Sequence, residues 1–161
     1  MKASVLYYSK TGHTKQMAEE IVKGMEKVEG VKAKAFSIDA IDEEWAQESK
    51  CIILGSPIYM ANVCTDIKAF LEKSSRKLNL PGKLGGAFAT VDYVHGGGEL
   101  GIRLMLDHMM VMGMLTYSGG GAKGKPVIHL GPVAVSDALE SYNDTFQIYG
   151  QRMAGKAVEI F

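Results

Sequence analysis

Few cysteines, few prolines and no surplus charge characterise this chain: two Cys, four Pro, and 18 basic against 18 acidic residues in 161. Cys51 and Cys64 form neither a CxxC motif nor a metal-ligand spacing, so neither a disulfide framework nor a bound metal organises the fold. The zero formal net charge contains no basic stripe or block, which argues against nucleic acid as a partner. No apolar run spans a bilayer, because the most apolar later stretch, Leu100–Leu115, is broken by Arg103, Asp107 and His108. The N-terminal apolar run reaches Lys10 too soon to form a secretory signal core. The expectation is one cytoplasmic domain over residues 1–161, with a substantial core and no membrane span.

What is present alternates. Ala3–Tyr8 reads as a buried strand, and Met17, Ala18, Ile21, Val22, Met25 and Val28 recur at helical spacing to give a helix over Thr14–Val28. Val31–Phe36 alternates apolar residues with lysine, as in a sheet edge guarded against pairing. Asp42–Ser49 reads as a short helix or acidic loop, Cys51–Leu54 as a central parallel strand and Thr65–Lys77 as a helix. Leu84–Val91 is the next strand, followed by a glycine-led helix to Met112. A last strand at Met114–Tyr117 is interrupted by Ser118–Lys125 and resumes at Val127–Leu130, and a C-terminal helix starts at Asp137. This order predicts an α/β fold: a five-stranded parallel sheet in the order 2-1-3-4-5 with helices on both faces. In such a sheet, ligands bind beyond the carboxyl ends of the strands, where the winding reverses.

Three loops converge there. In the first, Ser9, Lys10, Thr11, Gly12, His13 and Thr14 lie between a strand and a helix. Three hydroxyls, a tight glycine turn and a helix N-terminus suit a phosphate, although one hydroxyl would suffice for a plain helix cap. The second, Gly55–Val63, offers Pro57, Ile58, Tyr59, Met60 and Asn62; Tyr59 either stacks on a planar ring or closes the loop as a packed tyrosine. The third carries Thr90, Val91, Asp92, Tyr93, His95 and the run Gly96-Gly97-Gly98, where main chain could lie flat against a heterocycle. Tyr93 and His95 would flank that ligand, or His95 is simply solvated.

Other features have competing readings. Gly96, Gly98 and Gly101 satisfy G-x-G-x-x-G, but in the fourth strand unit and with no acidic residue at the end of the next strand, so an NAD site is rejected. No Walker A sequence is present. The helix Glu99–Met112 holds Met105, Met109, Met110 and Met112 and is apolar on most sides, either as core or as part of a homo-oligomer interface. Cys51 reads as core. Cys64, near a helix start, is either core or a thiol of lowered pKa.

On these residues the chain resembles the flavodoxin superfamily over nearly its whole length, with Ser9–Thr14 similar to that superfamily's FMN phosphate loop. Gly82–Thr90 followed by Gly96–Leu100 is most similar to the NAD(P)H:quinone oxidoreductases related to tryptophan-repressor-binding protein. The resemblance implies non-covalent FMN, with phosphate on the first loop and the ring between the second and third. It also implies NAD(P)H as electron donor and a quinone or other small acceptor, the catalytic residue being unassigned and Tyr59, Tyr93 and His95 its candidates. The alternative it implies is an electron carrier between protein partners. Such carriers are usually acidic, and the neutral balance here favours the enzyme.

Overall fold

The computed structural model describes residues 1–161. The chain runs β1 (Lys2–Tyr7), α1 (His13–Met25), β2 (Lys32–Ser37), α2 (Glu43–Glu48), β3 (Cys51–Tyr59), β4 (Asn62–Val63), α3 (Thr65–Ala69), β5 (Leu84–Val91), α4 (Gly98–Val111), β6 (Leu115–Thr116), β7 (Val133–Val135) and α5 (Asn143–Ile160). The expected α/β architecture with a parallel sheet is present. The strand count is not: seven strands replace five, and the main path runs β2-β1-β3-β5-β6. β4 is a short antiparallel addition to β3, while β7 pairs with β5.

The last sheet position is divided. β6 pairs with Leu84 and Gly85 at the start of β5, and β7 with Ala89, Thr90 and Val91 at its end. Between them the chain leaves the sheet through Gly119, Gly120 and Gly124, all at positive φ. Such backbone cannot continue a strand. The expected resumption at Val127–Leu130 is instead irregular, with Ile128 buried, and the strand re-forms only at Val133. Arg152 on α5 holds this excursion by donating to the carbonyls of Pro126, at 2.9 Å, and of Lys123, Gly124 and Lys125.

Two further boundaries move. α1 stops at Met25 because its last turn tightens, with Lys27 N–H on Gly24 O and Val28 N–H on Met25 O. The helix expected over Thr65–Lys77 is α-helical only to Ala69; it widens to a π turn at Phe70–Ser74 and narrows to a 3-10 turn at Ser75–Leu78. Side chains compete for its carbonyls there: the Leu71 oxygen accepts from Ser75 Oγ at 2.7 Å and lies 3.0 Å from His108 Nε2. C-terminally, a 3-10 segment, Ser136–Tyr142, precedes α5.

Apolar layers cover both sheet faces. On one, α1 and α5 bury Met17, Ile21, Phe146, Tyr149 and Met153, and Phe88 meets Phe146 edge to face at 5.7 Å. A side chain at Gly24 or Gly150 would strike the backbone of the opposing helix, so α1 and α5 cross with main chain nearly touching. On the other face, α3 and α4 contribute Ile67, Ile102, Met105 and Met109. Lys32 and Lys34 of edge strand β2 are exposed, as the alternation predicts, and Lys34 Nζ lies 3.9 Å from the Trp45 ring centroid.

Candidate functional site

β1, β3 and β5 are parallel neighbours, so the loops leaving their carboxyl ends meet at one edge of the sheet. They enclose a cavity of about 220 Å³. Ser9, Lys10, Thr11, His13 and Thr14 line it from the first loop, Pro57, Ile58 and Tyr59 from the second, and Thr90, Val91 and Asp92 from the third. Beyond Tyr59 it opens into a shallow groove of about 480 Å³ reached by Met60, Ala61, Tyr93, His95 and Gly96. The sequence-predicted residues therefore fall into an inner and an outer group.

Four others line neither space. Gly12 forms the turn of the first loop at φ 97°, as the N-cap of α1. Asn62 faces the far side of the β3–β4 hairpin, its Oδ1 accepting from Val63 N–H at 2.9 Å. Gly97 and Gly98 bring loops together: a Cβ on Gly97 would lie 2.8 Å from Ala61, and one on Gly98 2.7 Å from Val133. Gly101, the last glycine of the apparent fingerprint, makes room for Ile58. The G-x-G-x-x-G spacing thus serves packing between α4 and its neighbours.

Sequence reasoning missed Ser136. It closes the cavity from the segment after β7, and its Oγ donates to Asp92 Oδ1 at 2.7 Å. The available signal was the short apolar run Val133–Val135 ending in Ser-Asp, which reads as a strand end.

The first loop is poised for an anion. No side chain caps α1, so the amides of its first turn have no local acceptor, and the helix dipole places partial positive charge there. Ser9 Oγ instead accepts from Gly12 N–H at 3.1 Å and sets the turn. Thr14 is buried and bonded to Thr90, hydroxyl to hydroxyl, at 2.8 Å. Thr11 remains near the surface, its Oγ1 3.4 Å from His13 Nδ1. A Cβ built on Gly12 meets nothing within 4 Å, so the turn stands in open space.

The opposite wall is apolar and acidic. Ile58 and Tyr59 pair with Val63 and Asn62 across a hairpin whose tip, Met60 and Ala61, lies in left-handed backbone at φ 51° and 59°. Burial first, and then coupling to the neighbouring acidic groups of Cys64, Tyr8, Asp92 and Asp66, push the Tyr59 phenol above its ordinary range. It remains a hydrogen-bond donor at neutral pH. The nearby Tyr8 phenol is raised too, chiefly by Asp66. Cys64 occupies the N-cap position of α3 inside the core, and burial raises its thiol despite hydrogen bonds from backbone and Ser56. No group of three His, Cys, Asp or Glu side chains is placed to hold a metal ion, and no helix is long and apolar enough to cross a membrane.

Comparison with known proteins extends these observations. The family model for the flavodoxin domain matches residues 4–93, from within β1 into the start of the third loop of the site. The chain belongs to the flavodoxin family. It is similar to a flavodoxin of Clostridium saccharobutylicum, at 42% identity over 161 residues and the full length of both proteins. It is also similar to an NAD(P)H dehydrogenase (quinone) of Geotalea daltonii, at 31% over 152 residues, covering 75% of this chain and 74% of the relative. Among solved structures it resembles a flavodoxin, WrbA-like protein from Agrobacterium tumefaciens, with TM-score 0.82, 26% identity and 98% of both chains covered.

Membership of the flavodoxin family implies FMN, and the donor set of this cavity fits it. Uncapped helix amides and hydroxyls at one end suit a phosphate, and Pro57, Ile58, Tyr59 and Val91 at the other suit a flat aromatic ring.

Proposed function

We propose that this protein binds FMN non-covalently and works as a flavodoxin-type electron carrier that exchanges electrons with protein partners. The observation that carries this reading is the rim of the cavity: Tyr59, Met60 and Tyr93 are all exposed around its mouth. An apolar rim open to solvent suits a flat contact with another protein, whereas a small substrate calls for concave enclosure. The full-length similarity to a flavodoxin supports the same reading.

The chain's own groups divide the work. The uncapped amides of α1, with the Thr11 hydroxyl, would hold the phosphate by directed donors and the helix field, while Ser9 sets the turn. Thr90 positions the first loop through Thr14, and Ser136 positions the third through Asp92. Tyr59, Ile58 and Val91 would cover ring surface and exclude water, while the Tyr59 phenol stays protonated and able to donate. The Asp92 carboxylate lines the same cavity and would leave a negative charge beside the bound group. FMN, when bound, supplies the capacity to store and release electrons.

A second reading is an NAD(P)H-dependent reductase of a quinone or other small acceptor. Charge balance favours it: 18 basic and 18 acidic residues provide none of the acidic field that steers a carrier onto basic partners. Similarity to quinone dehydrogenases supports it as well. Anaerobic mixing of the FMN-loaded protein with NADPH or NADH separates the two. The carrier reading expects flavin absorbance to persist with either nucleotide and to bleach once a flavoprotein reductase is added. Rapid bleaching by a nucleotide alone overturns it in favour of the enzyme.

A further inference from the structure

The wall of the cavity that suits a phosphate carries a histidine. His13 opens α1, lines the cavity and is half-buried. Its Nδ1 lies 3.4 Å from Thr11 Oγ1. Ser9 and Thr14 are engaged in shaping and bracing the loop, so Thr11 carries its one unassigned hydroxyl. The other charged and titratable groups facing the pair are Lys10 of the same loop, Tyr59 of the second loop and Asp92 of the third. Asp137 follows Ser136 in the 3-10 segment that packs against α1. Of these residue types, histidine alone ordinarily changes charge between about pH 5 and 8.

We infer that His13 selects a doubly charged phosphate by taking up a proton, and that Thr11 relays the change. Neutral, the ring accepts the Thr11 hydroxyl at Nδ1 and withholds its hydrogen from a ligand. Imidazolium carries a hydrogen on both ring nitrogens and can only donate. Its Nδ1–H then occupies Thr11 Oγ1, and the hydroxyl hydrogen is free to turn to the anion. One proton thus adds a positive charge to the cavity wall and releases a donor, and both favour a dianion over a neutral group. Binding and protonation are reciprocal, so an anion that prefers the cationic ring binds more tightly as pH falls. The Asp92 carboxylate opposes a second anion in the same cavity, and the His13 charge offsets it. This inference rests on the FMN reading and extends it to how the phosphate is chosen.

Flavin fluorescence titrations of the full chain with FMN, from about pH 8 down to about pH 6, test it. The FMN phosphate itself takes up a proton near about pH 6, so the quantity read is the ratio of variant to wild-type dissociation constants at each pH. For His13→Gln that ratio is expected to rise from about one at the upper pH to about five at the lower. His13→Lys, cationic throughout this range, binds FMN more tightly than wild type at the upper pH and equally at the lower. The penalty of Thr11→Val grows as pH falls, and in the His13→Gln background it does not. Riboflavin, which lacks the phosphate, gives a flat His13→Gln ratio. A His13→Gln ratio for FMN that is flat with pH overturns the inference. So does one that riboflavin reproduces, or a Thr11→Val penalty indifferent to pH. A chain that binds no FMN at any pH overturns the underlying reading, and the inference with it.

Discussion

Thr14 and Thr90, 76 residues apart, share a hydroxyl–hydroxyl hydrogen bond of 2.8 Å at the floor of the cavity. It ties the first turn of α1 to the end of β5, and both residues are buried. The sequence pattern offers Ser9, Thr11 and Thr14 as equivalent phosphate donors, but the structure separates them. All three line the cavity, but Ser9 shapes the turn and Thr14 braces it against the sheet, which leaves the Thr11 hydroxyl with neither task.

Thr11→Val is therefore expected to raise the FMN dissociation constant by about tenfold, the value of one good hydrogen bond to a charged group, with little change in stability. Thr14→Val and Thr90→Val should each destabilise the fold by about 1–3 kcal/mol, because each leaves a buried hydroxyl unpaired. The double variant removes both partners at once and should cost clearly less than the two singles together, a coupling of about 1 kcal/mol or more. Urea unfolding of the apoprotein and flavin fluorescence titration measure the two quantities. Additive stability losses would show that the hydroxyls do not act as a pair.

The sheet and the first loop were legible because their signals are local. The apolar run at Cys51–Leu54, the lysine alternation of β2 and the strand–loop–helix order around Ser9–Thr14 each need only neighbouring residues. The division of the last sheet position was not legible, because β7 has only three residues and its place beside Thr90 depends on an excursion that Arg152 holds from α5. Ser136 was hidden for the same reason. The glycine run of the third loop was visible, but its purpose was not. Whether Gly97 faces a ligand or Ala61 depends on a hairpin 36 residues earlier, and no pattern near Gly97 contains that information.

Met60 sits at the tip of that hairpin at φ 51°, and its side chain is 99% exposed. It makes no packing contribution that a substitution could remove. Left-handed backbone costs an ordinary L-residue about 1–2 kcal/mol, and asparagine tolerates it better. Met60→Asn should therefore stabilise the protein by about 0.5–1 kcal/mol, seen as a higher urea midpoint at unchanged slope. A lower midpoint would mean that Met60 packs against something in solution.

Both thiols should be inert in the native protein. Burial pushes Cys51 up to about 12, and burial is also the largest influence raising Cys64. The position of Cys64 at the start of α3, which could have made it reactive, is outweighed by its enclosure beside Ser56. Iodoacetamide at neutral pH should leave both unmodified by mass spectrometry, and both should alkylate fully in urea. Native alkylation of Cys64 on the timescale of an exposed thiol would contradict this placement.

Lys83 is buried with no carboxylate partner, its ammonium donating to the carbonyls of Ala46 at 2.8 Å, Gln47 at 2.7 Å and Leu78 at 3.0 Å. It clamps the end of α2 to the 3-10 turn after α3 from the residue before β5. Lys83→Met keeps the apolar stem but strands the carbonyls of Gln47 and Leu78, and should cost about 1–3 kcal/mol. The pH dependence has a definite sign. Burial first, and then Lys50, lower the folded-state pKa to about 8 from the ordinary 10.5. Between those values the unfolded chain binds more protons than the folded one, so the contribution of this group to stability rises with pH and levels off above the unfolded value. The stability of the wild type relative to Lys83→Met should then increase from pH 8 to pH 10.5. Urea unfolding of both proteins across that window gives the difference directly. A flat or falling difference would mean that the three carbonyls hold the ammonium charged throughout and outweigh its desolvation.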